Sequence, residues 1–458
     1  MRKQNGIVLA CFAAAMFLAA TGVWATGQKE SSGTAPSGGK VTLVVWDEYT
    51  GTTLHDVVQA VINDFEKTHP NVTVEETGRT LAADKTAVMA AINAGVGPDV
   101  ITANNGETEM GPEVRAGALV NLTPYAQKYG WEKNYLSADL WSRAMYTADG
   151  KHFGRGNLYG VPLLGEYVGV YYNKDLFAKY GLSVPKTLGD LQKAAETFKA
   201  SGIAPFAFGG SKYAQFYHQY GEVLGATLAD EMGGDAAENW LSGTVIKNDP
   251  SLSFNDPAVV QAAKIMQDWA KNGDFMKGFT GLDRPDAFQY FVAGKAAMFI
   301  EGSWYDGDII KANLNAGVFA FPPIKESTGM VPQVGGMATP VGINSKSKHI
   351  DLAAEFLNVM LSSENAHKFE IDNYMIPPTV PTSLDGVQQG SVYYELLSLW
   401  NGINANNRVG QYLDWATPQM GDVMGQAGQD LLAGSITPQQ FADKVEAAYK
   451  SWTSQNAK

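Results

Sequence analysis

The 458-residue chain is 45% apolar and 11% aromatic, sets 34 Lys and Arg against 47 Asp and Glu for a formal charge of −13, and carries one cysteine. That apolar fraction excludes a disordered chain and is ample for two or three packed units, while a single sulfur excludes a disulfide framework or a thiolate cage for a metal. The acidic balance repels phosphate backbones and no Lys/Arg cluster offsets it, so no nucleic-acid partner is expected.

Arg2 and Lys3 precede an uncharged run from Gly6 to Ala25 that closes on Val23, Trp24 and Ala25. This is the layout of a secretory signal peptide over residues 1–25, cleaved after Ala25. Cleavage removes Arg2, Lys3 and Cys11, taking the charge from −13 to −15 and leaving a cysteine-free chain. A rival reading is lipid anchoring at Cys11, since Val8, Leu9, Ala10 and Cys11 loosely form a lipobox. It is disfavoured because it leaves Phe12 to Ala25 as an apolar mature terminus. Beyond Ala25 no stretch approaches about 18 consecutive apolar residues, so no second membrane segment is expected. Residues 26–40, dense in Gly, Ser, Thr and Lys, read as a flexible tether, with folding beginning near Val41.

Val41 to Trp46 predicts a strand, and Val57, Val58, Val61, Ile62 and Phe65 share one side of a helix from about Thr53 to Thr68. A second strand over Val72 to Glu75, a helix carrying Val88, Met89, Ala91 and Ile92 and a third strand over Asp99 to Ala103 follow. This alternation reads as a parallel sheet with crossover helices. Tyr167 to Tyr172 is strand-like. Thr187 caps a helix with Leu191, Ala194, Ala195 and Phe198 on one face, and Phe206 to Phe208 is the next strand. Asp256 before Pro257 starts a helix striped with Ala262, Ile265, Met266 and Trp269, and Thr437 to Gln440 forms a capping box for a last helix. No fixed-period repeat appears, and an α/β protein of two lobes fits best.

Enzyme signatures are thin. G-x-S-x-G, G-x-x-x-x-G-K-[ST], H-E-x-x-H and G-x-G-x-x-G are all absent, and no cofactor motif is present. The six histidines, at 55, 69, 152, 218, 349 and 367, show no metal-ligand spacing and are expected at the surface. Two S-x-x-K matches, Ser183 to Lys186 and Ser345 to Lys348, lack their companion elements and read as coincidence. Paired carboxylates of a glycoside hydrolase need only converge in space, so that alternative stays open.

Ligands of open parallel sheets sit beyond the carboxyl ends of the strands. That rule delivers Trp46, Asp47, Glu48 and Tyr49 from the first strand and Asn104, Asn105 and Glu107 from the third to one edge. Flat aromatics suit the C–H faces of sugars, and amides and acids suit their hydroxyl rims. Trp46 reads equally well as a core residue at a strand end.

Several landmarks then occur in order: FEKTHPNVTV from Phe65 to Val74, AGVGPDV from Ala94 to Val100, YGVP from Tyr159 to Pro162 and YNKDLF from Tyr172 to Phe177. GKAAM from Gly294 to Met298, GSW from Gly302 to Trp304 and ITP from Ile436 to Pro438 complete the set. In these the chain resembles the solute-binding proteins of ABC sugar importers, the extracellular family that includes maltose-binding protein, over nearly all of residues 41–458. The resemblance implies a type II periplasmic-binding-protein-like clamshell of two lobes with parallel or mixed sheets and a hinge. It implies that the chain captures a sugar or oligosaccharide and delivers it to a membrane permease, as an extracytoplasmic monomer without catalysis. A chemoreceptor-type or adhesin-type carbohydrate-binding protein is a third class beside the hydrolase.

By the same resemblance, crossings between lobes fall near Leu164 to Val168, Val318 and Val341. Lobe 1 then takes residues 41–165 plus about 318–341, and lobe 2 takes 166–317 plus 342–458. Glu166 stands where the family often places a hinge-side ligand carboxylate, and Trp304 where it often places a sugar-stacking tryptophan. Tyr213, Gly336, Asp414 and Trp415 are further matching positions. Ala103, Asn104 and Asn105 depart from maltose-binding protein, which places an aromatic and acids there. Maltose itself is thereby less expected than another carbohydrate.

Overall fold

β1 (Val41–Asp47) alternates buried Leu43, Val45 and Asp47 with half-buried residues, and α1 (Thr52–Thr68) packs Val57, Val58, Val61, Ile62 and Phe65 into the core. Burial of each large apolar side chain contributes about 1.5–3 kcal/mol, so a stripe at helical spacing suffices to seat the helix. β2 (Val72–Gly78) and β3 (Val100–Thr102), joined through α2 (Leu81–Ala94), both lie parallel to β1, with Val41 opposite Val72 and Val45 opposite Val100. The computed structural model describes residues 39–50, 52–79, 81–131, 138–211, 214–371, 373–377 and 382–456. The expected leader at 1–25, the tether up to residue 38, and Tyr213 lie outside the described residues.

A second sheet begins with β4 (Gly165–Asn173), buried along its whole length except at Glu166. β5 (Ala204–Ala207), β6 (Ala296–Gly302), β7 (Ala316–Phe319) and β8 (Gly335–Met337) join it in the order β8-β4-β6-β5, with β7 also on β4. The sheet is mixed: β5 runs parallel to β6, while β6, β7 and β8 are antiparallel to β4. β9 (Val341–Ile343) returns to the first sheet, antiparallel to β3, with Val341 opposite Thr102.

Helices cover both sheets. α3 (Leu188–Ala200) starts at Thr187, whose hydroxyl accepts the Asp190 N–H at 3.1 Å, and buries the four predicted residues. α4 (Ala214–Met232), α5 (Pro257–Asn272) and α6 (Arg284–Val292) follow, α5 capped by Asp256 and α6 by a capping box at Asp283. α7 (Ile350–Met360) and α8 (Ser363–Ile371) pack on α1, beside the first sheet. α9 (Val392–Ala405) packs on β7, while α10 (Met420–Leu432) lies against α4 and α11 (Pro438–Asn456) against α5. The reciprocal bonds of Thr437 and Gln440 start α11. All these elements fall within one unit, Lys40–Lys458.

The lobe boundaries drawn from the sequence need correction. Val318 is no crossing: it lies in β7, opposite Tyr171, so residues 316–337 stay with the second sheet. β9, α7 and α8 belong with the first sheet, not with lobe 2. The chain crosses at Leu164, at Ala338–Pro340, and a third time between α8 and α9. The physical reason is edge pairing: β3 leaves an open edge that β9 fills, and α7 then covers the apolar face beside it.

Arg143 ties this junction together. It is 1% exposed; its Nη1 donates to the carbonyls of Gly335 (2.8 Å) and Gly410 (3.2 Å), and its Nη2 to that of Val409 (3.1 Å). Gly336, at φ +147°, has no room for a side chain, because a Cβ there would stand 2.6 Å from Arg143 Nη1. Arg143→Met keeps the volume and removes the donors, leaving buried carbonyls unpaired. Its unfolding free energy should fall by about 3 kcal/mol, read by urea denaturation.

Candidate functional site

The carboxyl ends of β1 and β3 face residues carried by the second sheet. From the first side, Thr108 Oγ1 donates to the Asp414 carbonyl at 2.7 Å, and the Tyr49 hydroxyl donates to the Thr339 carbonyl at 2.9 Å on the second crossing. The charges of Glu48, Glu166 and Glu109 act on Arg284, Tyr49 and Tyr217 respectively.

The predicted residues other than Tyr213 have definite places. Asp47 is buried and its Oδ1 accepts the Tyr49 N–H at 3.0 Å, which fixes the turn at the end of β1. Trp46 is half-buried with the Arg79 guanidinium 3.8 Å from its ring centre, a cation–π cap on one face. Asn104 turns inward, its Oδ1 accepting the Asn105 N–H at 2.9 Å, and Asn105 donates through Nδ2 to the Arg143 carbonyl at 2.7 Å. Glu107 is held by Arg115 at 2.8 Å and by the Tyr146 hydroxyl at 3.2 Å, an internal pairing. Gly336 pairs with Glu166 in the β8–β4 ladder. Trp415 is 2% exposed, tilted on Tyr412 at 4.8 Å and packed on Gly106, where a Cβ would stand 2.3 Å from the Trp415 Cβ. The sequence-predicted residues therefore divide. Asp47, Asn104, Asn105 and Glu107 are taken up by internal hydrogen bonds, Trp415 by packing, and Asp414 is buried with its carbonyl accepting from Thr108, whereas Glu48, Glu166 and Trp304 are half-buried.

Five residues outside the predicted set, His218, Glu301, Arg284, Tyr412 and Tyr217, complete the cluster. His218, expected at the surface, is buried on α4, its Nδ1 2.8 Å from Glu301 Oε1. That is a correction, and its cause is a buried carboxylate that rewards burying an imidazole beside it. Arg284 at the start of α6 lies 4.0 Å from the same oxygen, 5.6 Å from the Trp304 ring and 5.9 Å from the Tyr305 ring. Tyr412 and Tyr217 flank His218 at 5.6 and 5.0 Å. His218 sits beside Tyr217 in a helix that also carries Gln215, Gln219, Glu222, Thr227, Asp230 and Glu231, so no local signal singled it out. The pairing of His218 with Glu301 spans 83 positions and no motif encodes it. Among the described residues no group of three or more His, Cys, Asp or Glu could hold a metal ion, and no helix is long and apolar enough to cross a membrane.

The electrostatics follow from burial. The Glu166 carboxyl is pushed up to about 8, chiefly by burial; the Tyr412 hydroxyl and Arg284 pull it down, while Asp414 and Glu301 push it up. At neutral pH Glu166 is thus mostly protonated and can donate as well as accept.

With this geometry in hand, comparison with known proteins is informative. The family described as "Bacterial extracellular solute-binding protein" matches residues 51–367, more than two thirds of the chain, and the chain belongs to that family. A multiple sugar-binding protein of Streptococcus mutans is 26% identical over 337 residues, covering 72% of this chain and 73% of that protein. The sn-glycerol-3-phosphate-binding periplasmic protein UgpB of Rhizobium meliloti is 24% identical over 424 residues, covering 87% and 91%. Among solved structures, a chitin oligosaccharide binding protein superposes with a TM-score of 0.77 at 22% identity, over 91% of this chain and 100% of that one. The fold is the periplasmic-binding-protein-like α/β arrangement with mixed sheets that the sequence predicted.

The raised Glu166 sets a pH dependence. The folded state holds this proton more tightly than the unfolded chain, so stability falls as pH rises from about 4.5 through about 8. Glu166→Gln removes the ionisation. The difference in unfolding free energy, variant minus parent, should therefore shift in the variant's favour between pH 5 and pH 9 in urea titrations.

Proposed function

We propose that this chain is the substrate-binding component of an ABC importer, holding a sugar or oligosaccharide between its two sheets and delivering it unaltered to a membrane permease. The observation that carries this reading is the make-up of the gap. Trp304, Tyr217 and Tyr412 offer flat aromatic faces, while Glu48, Glu166, Asp414 and Arg284 offer acceptors and donors around them. Sugars present alternating C–H faces and hydroxyl rims, and this combination answers both. The relatives named for sugars and the neighbour named for chitin oligosaccharide support the same class.

A receptor of this kind works by population shift. A solute closes the cleft only through contacts made with both sides at once, since contacts to one side bind open and closed forms alike. Here Glu48 follows β1 of the first sheet, while Glu166 lies in β4 of the second and Trp304 just beyond β6. The leader at 1–25 exports the chain, which works outside the cytoplasm as a monomer without catalysis.

Calorimetry with maltotriose, raffinose and stachyose should give saturable one-to-one binding to at least one of them, with the sugar recovered intact by chromatography. Cleavage of the sugar would instead make the protein a glycoside hydrolase. Trp304→Ala should weaken the best binding by about 2 kcal/mol or more, as expected of an interface anchor. Small-angle scattering should show the radius of gyration shrinking on saturation; an adhesin-type binder would leave it unchanged.

A further inference from the structure

We propose that Trp415 serves closure rather than the guest. With the Asp414 backbone it forms the second-sheet half of a latch that shuts on Gly106 and Thr108, so the two sides of the gap bind each other directly along one flank. This rests on the sugar-binding reading above, in which the sides part to admit the solute, and it takes Trp415 out of the set that the resemblance gave to the sugar.

Trp415 has no open face to offer. It is 2% exposed, with Tyr412 tilted against its ring at 4.8 Å and Phe153 edge-on at 6.3 Å. A sugar platform needs a free ring face, and these neighbours take the ring from both sides of the gap. The two backbones also meet. A Cβ at position 106 would stand 2.3 Å from the Trp415 Cβ and 2.8 Å from its Cα and carbonyl oxygen, so only a glycine allows the approach. Two residues on, the Thr108 hydroxyl donates to the Asp414 carbonyl at 2.7 Å.

The seam continues past Trp415. A Cβ on Gly154 would stand 2.5 Å from Ile246 Cγ2, and the Arg115 guanidinium lies 5.1 Å from the Trp452 ring centre. In each pair the first residue is tied to the first sheet and the second to the other side. The Val120 N–H donates to the Ile343 carbonyl of β9 at 2.9 Å, and Arg115 holds the loop that carries Phe153 and Gly154 through the Gly150 carbonyl at 2.8 Å. Opposite, Asn248 donates to the Ala416 carbonyl at 3.0 Å and accepts from Trp452 Nε1 at 3.0 Å, which ties the Trp415 turn to α11.

Contacts of this kind exist only while the two sides are together, and they take no account of what lies between them. Their free energy therefore enters the balance of shut and open forms by the same amount for every guest. A residue that touches the guest instead weakens each guest by its own amount. Gly106, Thr108 and Trp415 are thus positioning residues.

Two experiments on the full chain test the latch. Thr108→Val keeps the shape and removes the bond to Asp414. In calorimetry it should weaken maltotriose, raffinose and stachyose, wherever the parent takes them, by one common factor of roughly threefold to tenfold with a parent-like melting curve. Affinity equal to the parent's, or factors that differ from sugar to sugar, would overturn the latch. Gly154→Cys with Ile246→Cys, in a chain carrying Cys11→Ser, sets two Cβ atoms 4.0 Å apart, inside the about 3.5–4.5 Å that a disulfide spans. The φ of +80° at Gly154 strains any side chain there, so the reduced pair is the reference. Oxidation should join the pair and slow sugar uptake and release roughly tenfold or more, with dithiothreitol restoring both. A pair that stays reduced in the folded protein, or an oxidised form that exchanges sugar as fast as the reduced one, would overturn the latch while leaving sugar binding intact. If the cysteine pair does not fold, Thr108→Val alone decides. A parent that takes none of the three sugars overturns the sugar-binding reading, and scattering then decides the latch: an oxidised form more compact than the reduced one supports it, and equal radii of gyration overturn it.

Discussion

The structure depends on how three passages of one chain cross between two sheets without stranding backbone polar groups in the interior. They do so by bonding to each other. Val161 and Val341 exchange both of their hydrogen bonds at 2.9 Å, Ala338 donates to the Leu164 carbonyl at 3.0 Å, and the ribbon continues as β8 on β4. The third crossing joins through Gly165, whose N–H donates to the Ile376 carbonyl at 3.1 Å. Every buried donor and acceptor in such a junction must be matched, because an unmatched one costs as much as a lost hydrogen bond. A narrow antiparallel ribbon matches them.

The gap lies directly beyond that ribbon, and its electrostatics are a consequence of the location. Glu166 sits on the ribbon itself, and burial of its carboxyl is the chief reason it holds its proton. Asp414, Glu48 and Glu109 converge from other elements, and Arg284 is the cation set among them. A cleft of this charge suits a guest that offers hydroxyls rather than anions. The aromatic side chains here pack on one another, Trp304 and Tyr412 against His218 and Trp415 against Tyr412.

Much of the scaffold was legible from local pattern. The stripe on α1, the Thr187 and Asp256 caps and the Thr437 capping box are each decided within one or two turns of chain, and the structure keeps them. The Val318 crossing failed because a four-residue strand can join either sheet on its own pattern; pairing with β4 decided it. The site was legible only in part. Trp304 entered through the resemblance to the family, whereas His218, read as a surface histidine, is buried against Glu301, 83 positions away. Tyr49 was visible as an aromatic at a strand end, yet its hydroxyl turned out to brace the second crossing.

The sequence by itself determined the α/β alternation, the caps, the parallel pairing of the first three strands and the aromatic and acidic character of the strand ends. The alternation and the caps rest on periodicity and on bonds between residues a few positions apart, and the parallel pairing on the strand–helix–strand order. Only the tertiary structure decided which sheet each later strand joined, which of the polar residues brace the hinge, and which face the gap. Those outcomes depend on contacts such as Arg143 with Gly335 and Thr108 with Asp414, separated by 192 and 306 positions. At such separations no local preference constrains the partner, and burial makes the choice.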